Sequence, residues 1–448
     1  MRTIIRHAIL VNEGKTFEAN LVIENGLIAG IFPKDETLHD SSFDQEIDAT
    51  GLYLLPGVID DHVHFREPGL THKADIESES KAAVAGGVTS YLDMPNTVPQ
   101  TTDLKSLEEK FALASEKSYA NYSFFFGATN DNTHLLSQLD QKRICGIKLF
   151  MGSSTGNMLV DKDEALIKLF NESPMLIMAH CEDQTIINQN AAHIKEVEKS
   201  EDPDVKFHPF IRNEEACYRS TAKAIELARK ANARLHIAHV STSRELELFD
   251  SIPLNDKKRI TAEACVAHLY FSENDYTTLG TQIKCNPAIK TKDDRKALQK
   301  ALHENRIDLI GTDHAPHLLS EKKGGCLKAV SGMPMIQFSL VTMLELVDQG
   351  VLTLPLLVEK MCHAPARLFE IKERGYLRIG YHADLVLVRP NTLWIVDKQQ
   401  ILSKCAWSPL EGHQFNWKVE KTFVNGECIY DKGFINENIR GKELEFNR

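Results

Sequence analysis

Residues 56–69 read Pro56-Gly-Val-Ile-Asp-Asp-His-Val-His-Phe-Arg-Glu-Pro-Gly69. Val58 and Ile59 have the character of a buried strand end, and successive side chains of a strand point to opposite faces. Asp60, His62, His64 and Arg66 are therefore expected on one face. Two imidazoles one residue apart can both reach a single metal ion with neutral nitrogens. Arg66 adds a planar fork shaped for a carboxylate or phosphate. The stretch points to a metal-dependent site that takes an anion, placed where a strand ends.

Downstream, short apolar runs alternate with amphipathic helical patterns. Strands are expected at 55–59, 89–93, 122–126, 146–150, 175–179, 234–238, 259–263 and 307–310, with helices such as 75–85 and 219–231 between them. Eight such units match a TIM-type (β/α)₈ barrel over residues 55–375. The competing architecture, an open doubly wound sheet, has no Gly-x-Gly-x-x-Gly turn to support it. Upstream, strand patterns at 3–11, 18–24, 27–32 and 46–55 carry an Asn25-Gly26 hairpin signal. Near the other end, 383–388, 418–424 and 427–430 carry a second one at Asn425-Gly426. Isolated hairpins are only marginally stable, so residues 1–54 and 376–448 are expected to pair into one small β domain, a β-sandwich flanking the barrel.

The 448-residue chain is 42% hydrophobic and 26% charged, an ordinary globular composition. A net charge of −11 with no basic stripe argues against a nucleic-acid-binding surface. No run of eighteen apolar residues is present and the first residues read as a strand, so neither membrane insertion nor export is expected, and the cytoplasm is the expected location. Nine scattered cysteines without a Cys-x-x-Cys pair indicate reduced, mostly buried thiols.

In a barrel of this kind chemistry sits at the C-terminal ends of the strands. Polar residues do end the apolar runs: His180 after 175–179, His239 after 234–238, and Asp313-His-Ala-Pro-His317 after 307–312. A lone histidine in such a place is usually a hydrogen-bonded core residue, but histidines recurring at several strand ends, with His62 and His64, point to a metal. His236 faces away from His239 and is expected to be an ordinary core histidine, as is His208. Lys148, in an apolar strand, needs either an acidic partner or chemical removal of its charge. Carbamylation by carbon dioxide would turn its amine into an anion able to bridge two metal ions. The irregular, glycine-containing loop 318–333 is read either as a mobile loop over the site or as a plain surface loop.

The motifs Asp60-Asp-His-Val-His-Phe-Arg-Glu-Pro-Gly69, Asp93-Met-Pro-Asn-Thr97, Lys148, His180, His239, Cys285-Asn-Pro287 and Gly311-Thr-Asp-His-Ala-Pro-His317 together resemble the amidohydrolase superfamily, and within it the dihydroorotases of the long, hydantoinase-like type. The resemblance covers nearly the whole chain. Some long bacterial members carry Asp where Lys148 stands, and here the lysine is present. The resemblance implies that His62, His64 and Asp313 bind one zinc, that His180 and His239 bind a second, and that carbamylated Lys148 and a hydroxide bridge them. It makes Asp313 the general base and acid. It assigns Arg66, Asn96 and His317 to a substrate carboxylate and Asn286 to the ring, with Asp60 expected to orient a ligand histidine.

The implied reaction is reversible closure of N-carbamoyl-L-aspartate to dihydroorotate. The alternatives are a hydantoinase, dihydropyrimidinase or allantoinase, whose rings lack the carboxylate that Arg66 is suited to hold. A non-catalytic subunit that scaffolds aspartate transcarbamoylase would be expected to lose ligands, and all are present. The resemblance also implies a homo-oligomer, a dimer or tetramer, and is compatible with association with aspartate transcarbamoylase.

Overall fold

The computed structural model describes residues 1–36, 42–152, 157–255 and 257–448. The first strands are β1 (Arg2–Asn12), β2 (Lys15–Glu24) and β3 (Leu27–Pro33), an antiparallel meander. Asn25 and Gly26 take φ of 52° and 86° between β2 and β3, the left-handed pair that a tight hairpin turn demands. Two short strands, β4 (Gln45–Asp48) and β5 (Tyr53–Pro56), then lie parallel to β1.

At Gly57 the chain leaves this sheet for the barrel, whose strands follow in order: β6 (Val58–Val63), β7 (Val88–Asp93), β8 (Asn121–Gly127), β9 (Gly146–Phe150), β10 (Ile177–His180), β11 (Leu235–Ile237), β12 (Ile260–Cys265) and β13 (Leu309–Gly311). Each pairs in parallel with its sequence neighbour. The expected strand at 55–59 is thus corrected: residues up to Pro56 pair with the end sheet, and the barrel strand proper starts at Val58. One apolar run had bridged two sheets, and periodicity alone does not see the change of partner.

The barrel closes at its active end. His64 N–H donates to the His314 carbonyl (2.8 Å) and His314 N–H to the His62 carbonyl (3.2 Å). Asp60 clamps the same seam, its carboxylate accepting the Thr312 hydroxyl (2.6 Å) and backbone N–H (3.1 Å). Strands buried along their length fit a barrel covered on both faces. Outside, residues such as Val88, Tyr91, Phe124, Phe126, Ile147 and Ile177 pack against the helices. One of these, Glu214–Ala231, presents Cys217, Thr221, Ala224, Ile225 and Ala228 on a helical stripe. Inside, Ile59, Leu92, Phe125, Met178 and Leu309 fill the lower barrel, closed beneath by Phe369, Leu444 and Phe446.

After the barrel, β14 (Leu385–Arg389) pairs with β5. β15 (Trp394–Ile395) and β16 (Gln414–Phe415) form a separate ribbon. β17 (Lys418–Val424), β18 (Glu427–Asp431) and β19 (Phe434–Ile435) complete a nine-stranded sheet built from both chain ends. Its own core includes Ile5, Leu10, Leu21, Leu54, Leu385, Leu387 and Phe423. No helix among the described residues is long and apolar enough to cross a membrane.

Candidate metal and substrate site

At the C-terminal ends of the barrel strands lies a cavity of about 560 Å³. Its wall includes His62, His64, Arg66, Asn96, Lys148, His180, His239, Asn286, Asp313 and His317, so the candidate residues converge there. His62 is in β6, Lys148 in β9 and His180 ends β10, while His239 and Asp313 each follow a strand by two residues.

Asp60 does not line the cavity, and Arg66 does not reach it along the pleat as the expected same-face row required. β6 ends at Val63 with its register shifting between Asp60 and Val63, and Arg66 has a φ of 67°. His239 (φ 38°) and Asp313 (φ 48°) share this left-handed backbone. Such conformations strain non-glycine residues and gather where a fold aims side chains at a site. The turn behind Arg66 is held by Asp93, which accepts the Phe65 N–H (2.9 Å) and pairs with buried Lys110 (2.6 Å).

Two sets of ligand atoms face each other. His62 Nε2 and His64 Nε2 lie 3.3 and 3.1 Å from Asp313 Oδ1, a group compact enough to hold one metal ion. His180 Nδ1 and His239 Nε2 are 2.9 Å apart. Burial holds His64 near a pKa of about 4 and lowers His180 and His239, so the imidazoles are neutral and free to ligate.

Lys148 is wholly buried, and its amine has no hydrogen-bond partner among the described residues. That burial lowers its pKa, favouring the uncharged amine that reacts with carbon dioxide.

The rings are backed by acceptors. His64 Nδ1–H donates to Asn96 Oδ1 (2.7 Å), and Asp60 Oδ1 accepts the His62 backbone N–H (3.3 Å), so Asp60 meets a candidate ligand histidine through its main chain rather than its ring. His180 Nε2 meets Glu182 (3.0 Å), itself ion-paired with Arg212. His62 Nδ1 meets Glu263 at 2.5 Å. Glu182 and Glu263 escaped the sequence reading, although an acid inside the apolar run 260–265 is the same signal that singled out Lys148. His236 is no ordinary core residue: it sits beneath the site, 3.5 Å from Asp61, and although burial opposes it, the Asp61 and Glu263 carboxylates raise it to about 9. His208 also lines the cavity, Nε2 lying 3.1 Å from Asn286 Oδ1.

The cavity wall also carries Arg66 and Lys284. Arg66 is 6% exposed, donates to the Pro316 carbonyl (3.0 Å) and to His317 Nε2 (3.0 Å), and pairs with no carboxylate among the described residues. Burial brings its pKa down to about 10. Lys284 lines the cavity, buried, with its amine donating to the Ala329 carbonyl and burial lowering its pKa to about 8. Lys322, outside the lining and lowered by burial to about 7, donates to the carbonyls of Lys284, Val330 and Gly332 at 3.0, 2.8 and 2.7 Å. Loop 318–333 supplies residues 326–332 of the cavity wall. Asp202 fastens it, accepting the N–H groups of Gly325 (2.7 Å), Leu327 (3.1 Å) and Lys328 (3.0 Å).

Residues 53–429 match the amidohydrolase family. The chain is 33% identical to the dihydroorotase of Methanosarcina acetivorans over 440 residues, covering 95% of this chain and 92% of that protein. An allantoinase from Bacillus velezensis is 31% identical over 437 residues, covering 96% and 94%. Among solved structures, L-hydantoinase (dihydropyrimidinase) from Arthrobacter aurescens superposes with a TM-score of 0.91 at 27% identity, covering 97% of each chain.

Proposed function

The chain belongs to the amidohydrolase family and is a cyclic amide hydrolase, and on that premise we propose that it interconverts N-carbamoyl-L-aspartate and dihydroorotate, the ring-closing step of pyrimidine (UMP) biosynthesis. The observation that carries this reading is Arg66: a buried guanidinium with no acidic partner among the described residues is costly unless a ligand carboxylate completes it. Dihydroorotate has that carboxylate, whereas hydantoins, dihydropyrimidines and allantoin do not. Lys284, which lines the cavity and has no acidic partner among the described residues, adds positive potential suited to the open-chain dianion.

The donor set fits a pair of zinc ions. His62, His64 and Asp313 would hold one, His180 and His239 the other, and Lys148, with its orphaned amine carbamylated, would serve both. When bound, the ions would polarise the scissile carbonyl and acidify a water. Arg66, His317 and the Asn96 amide hold the ring carboxylate, and Asn286 lies by the ring. In ring opening the Asp313 carboxylate takes the proton of the attacking water and delivers it to the leaving ring nitrogen; in ring closure it takes that proton from the carbamoyl nitrogen and returns it to departing water.

The similarity to an allantoinase and a hydantoinase keeps a second reading, the opening of an uncharged ring, in view. Arg66→Ala separates the two. Removing one partner of a buried charge pair costs about 3 kcal/mol or more, so dihydroorotate turnover should fall about 100-fold with the zinc content unchanged. Full retained turnover would refute the substrate assignment.

A further inference from the structure

Each ligand histidine but one has its ring braced from behind. His64 leans on Asn96, His180 on Glu182 and His62 on Glu263. His239 is the exception: its Nδ1 has no hydrogen-bond partner among the described residues. Its backbone is held instead, in the left-handed conformation, by an N–H···O bond of 2.8 Å to Glu263 Oε1. The same oxygen lies 2.5 Å from His62 Nδ1.

We propose that Glu263 is a positioning residue shared by both halves of the metal site, one carboxylate oxygen setting the His62 ring and the His239 backbone together. The inference rests on the reading that these histidines ligate the two ions. A carboxylate at His62 Nδ1 makes that nitrogen the N–H donor and leaves the Nε2 lone pair facing Asp313.

The reach is unusual, because β12 and β6 are not neighbours: β13 lies between them. Gly311 of β13 makes the crossing possible. A Cβ there would stand 2.9 Å from Glu263 Oε2 and 2.8 Å from Asp61 Oδ1, closer than real packing allows. Beneath the carboxylate, His236 Nε2 lies 3.9 Å from Glu263 Oε2 and 3.5 Å from Asp61 Oδ2, so the imidazole faces both acids without a hydrogen bond to Glu263. Glu182, by contrast, meets the ring of His180, on one side of the pair.

The test is zinc titration of the metal-stripped full chain against a competing chelator, with ¹⁵N-histidine NMR of the zinc-free protein. Glu263→Gln keeps an acceptor and should weaken both sites about tenfold, while Glu263→Leu should weaken both about 100-fold. Glu182→Gln should weaken one site only. In the zinc-free spectrum the His62 Nδ1–H signal, assigned with His62→Gln, should be present in the wild type and absent in Glu263→Leu. If Glu263→Leu does not fold, Gly311→Ala, which keeps the acid but obstructs its reach, should weaken both sites. Unchanged zinc affinity in the folded variants, weakening of one site only, or an unaltered His62 signal would overturn the proposal. A wild type that binds no zinc would instead refute the metal reading, and the NMR signal would still decide the role of Glu263.

Discussion

Lys148 and Glu263 pose the same question, a charged residue inside an apolar strand, and the structure answers it differently for each. Glu263 meets two histidine residues, whereas the Lys148 amine meets no hydrogen-bond partner among the described residues. Burying an unpartnered amine opposes folding, so Lys148→Met should leave the zinc-free protein as stable as the wild type or more so. The same variant should lose zinc and turnover, because no other residue supplies the bridge. Thermal unfolding of the zinc-free proteins, with metal analysis, checks both; a Lys148→Met protein that keeps two zincs and full activity contradicts the bridging role. The candidate histidines and Asp313 were legible because they stand at or near strand ends in the sequence, and Lys148 because a charge interrupts an apolar run. Asp60 was expected on the cavity face because the pleat argument assumes a regular strand; the register shift within β6 turns its carboxylate to the seam, from where it still accepts the His62 N–H. Asn96 braces His64 through a contact thirty-two residues away that spacing does not reveal.

At the level of elements, strands buried on both faces were readable as apolar runs, and helices such as 75–85 as amphipathic stripes; the caps that start them, such as Asp75, Asp103 and Thr291, came from the structure. Loop 318–333 was legible only as irregular. What fastens it comes from distant positions, the Asp202 carboxylate and the Lys284 amine, and no local pattern announces either. Because Asp202 holds three loop N–H groups and touches no residue of the ligand set, Asp202→Ala should loosen the wall carrying Ala329 to Gly332. The expected result is a KM for dihydroorotate raised several-fold, with zinc content and global unfolding nearly unchanged, since locally held loops open below the global free energy. Steady-state kinetics beside a melting curve checks this. An unchanged KM would mean that the loop holds its place without Asp202.

For the whole molecule, the joining of the two chain ends into one sheet followed from hairpin signals that could not stand alone, and β5 against β14 is where they meet. The barrel was legible from eight alternating units. Its closure at the β13–β6 seam was not, because that contact joins residues some 250 positions apart through Asp60 and Thr312. The scaffold brings the candidate ligand residues, a buried Arg66 and Lys284 into one cavity. The central claim is that this cavity selects a cyclic amide bearing a carboxylate, and the most direct test is zinc content together with kcat/KM of the purified wild type on dihydroorotate, dihydrouracil, hydantoin and allantoin. The account predicts two zincs per chain and a preference for dihydroorotate of about 100-fold or more, the scale set by one buried ion pair. A zinc-loaded protein that opens an uncharged ring faster than dihydroorotate would contradict it.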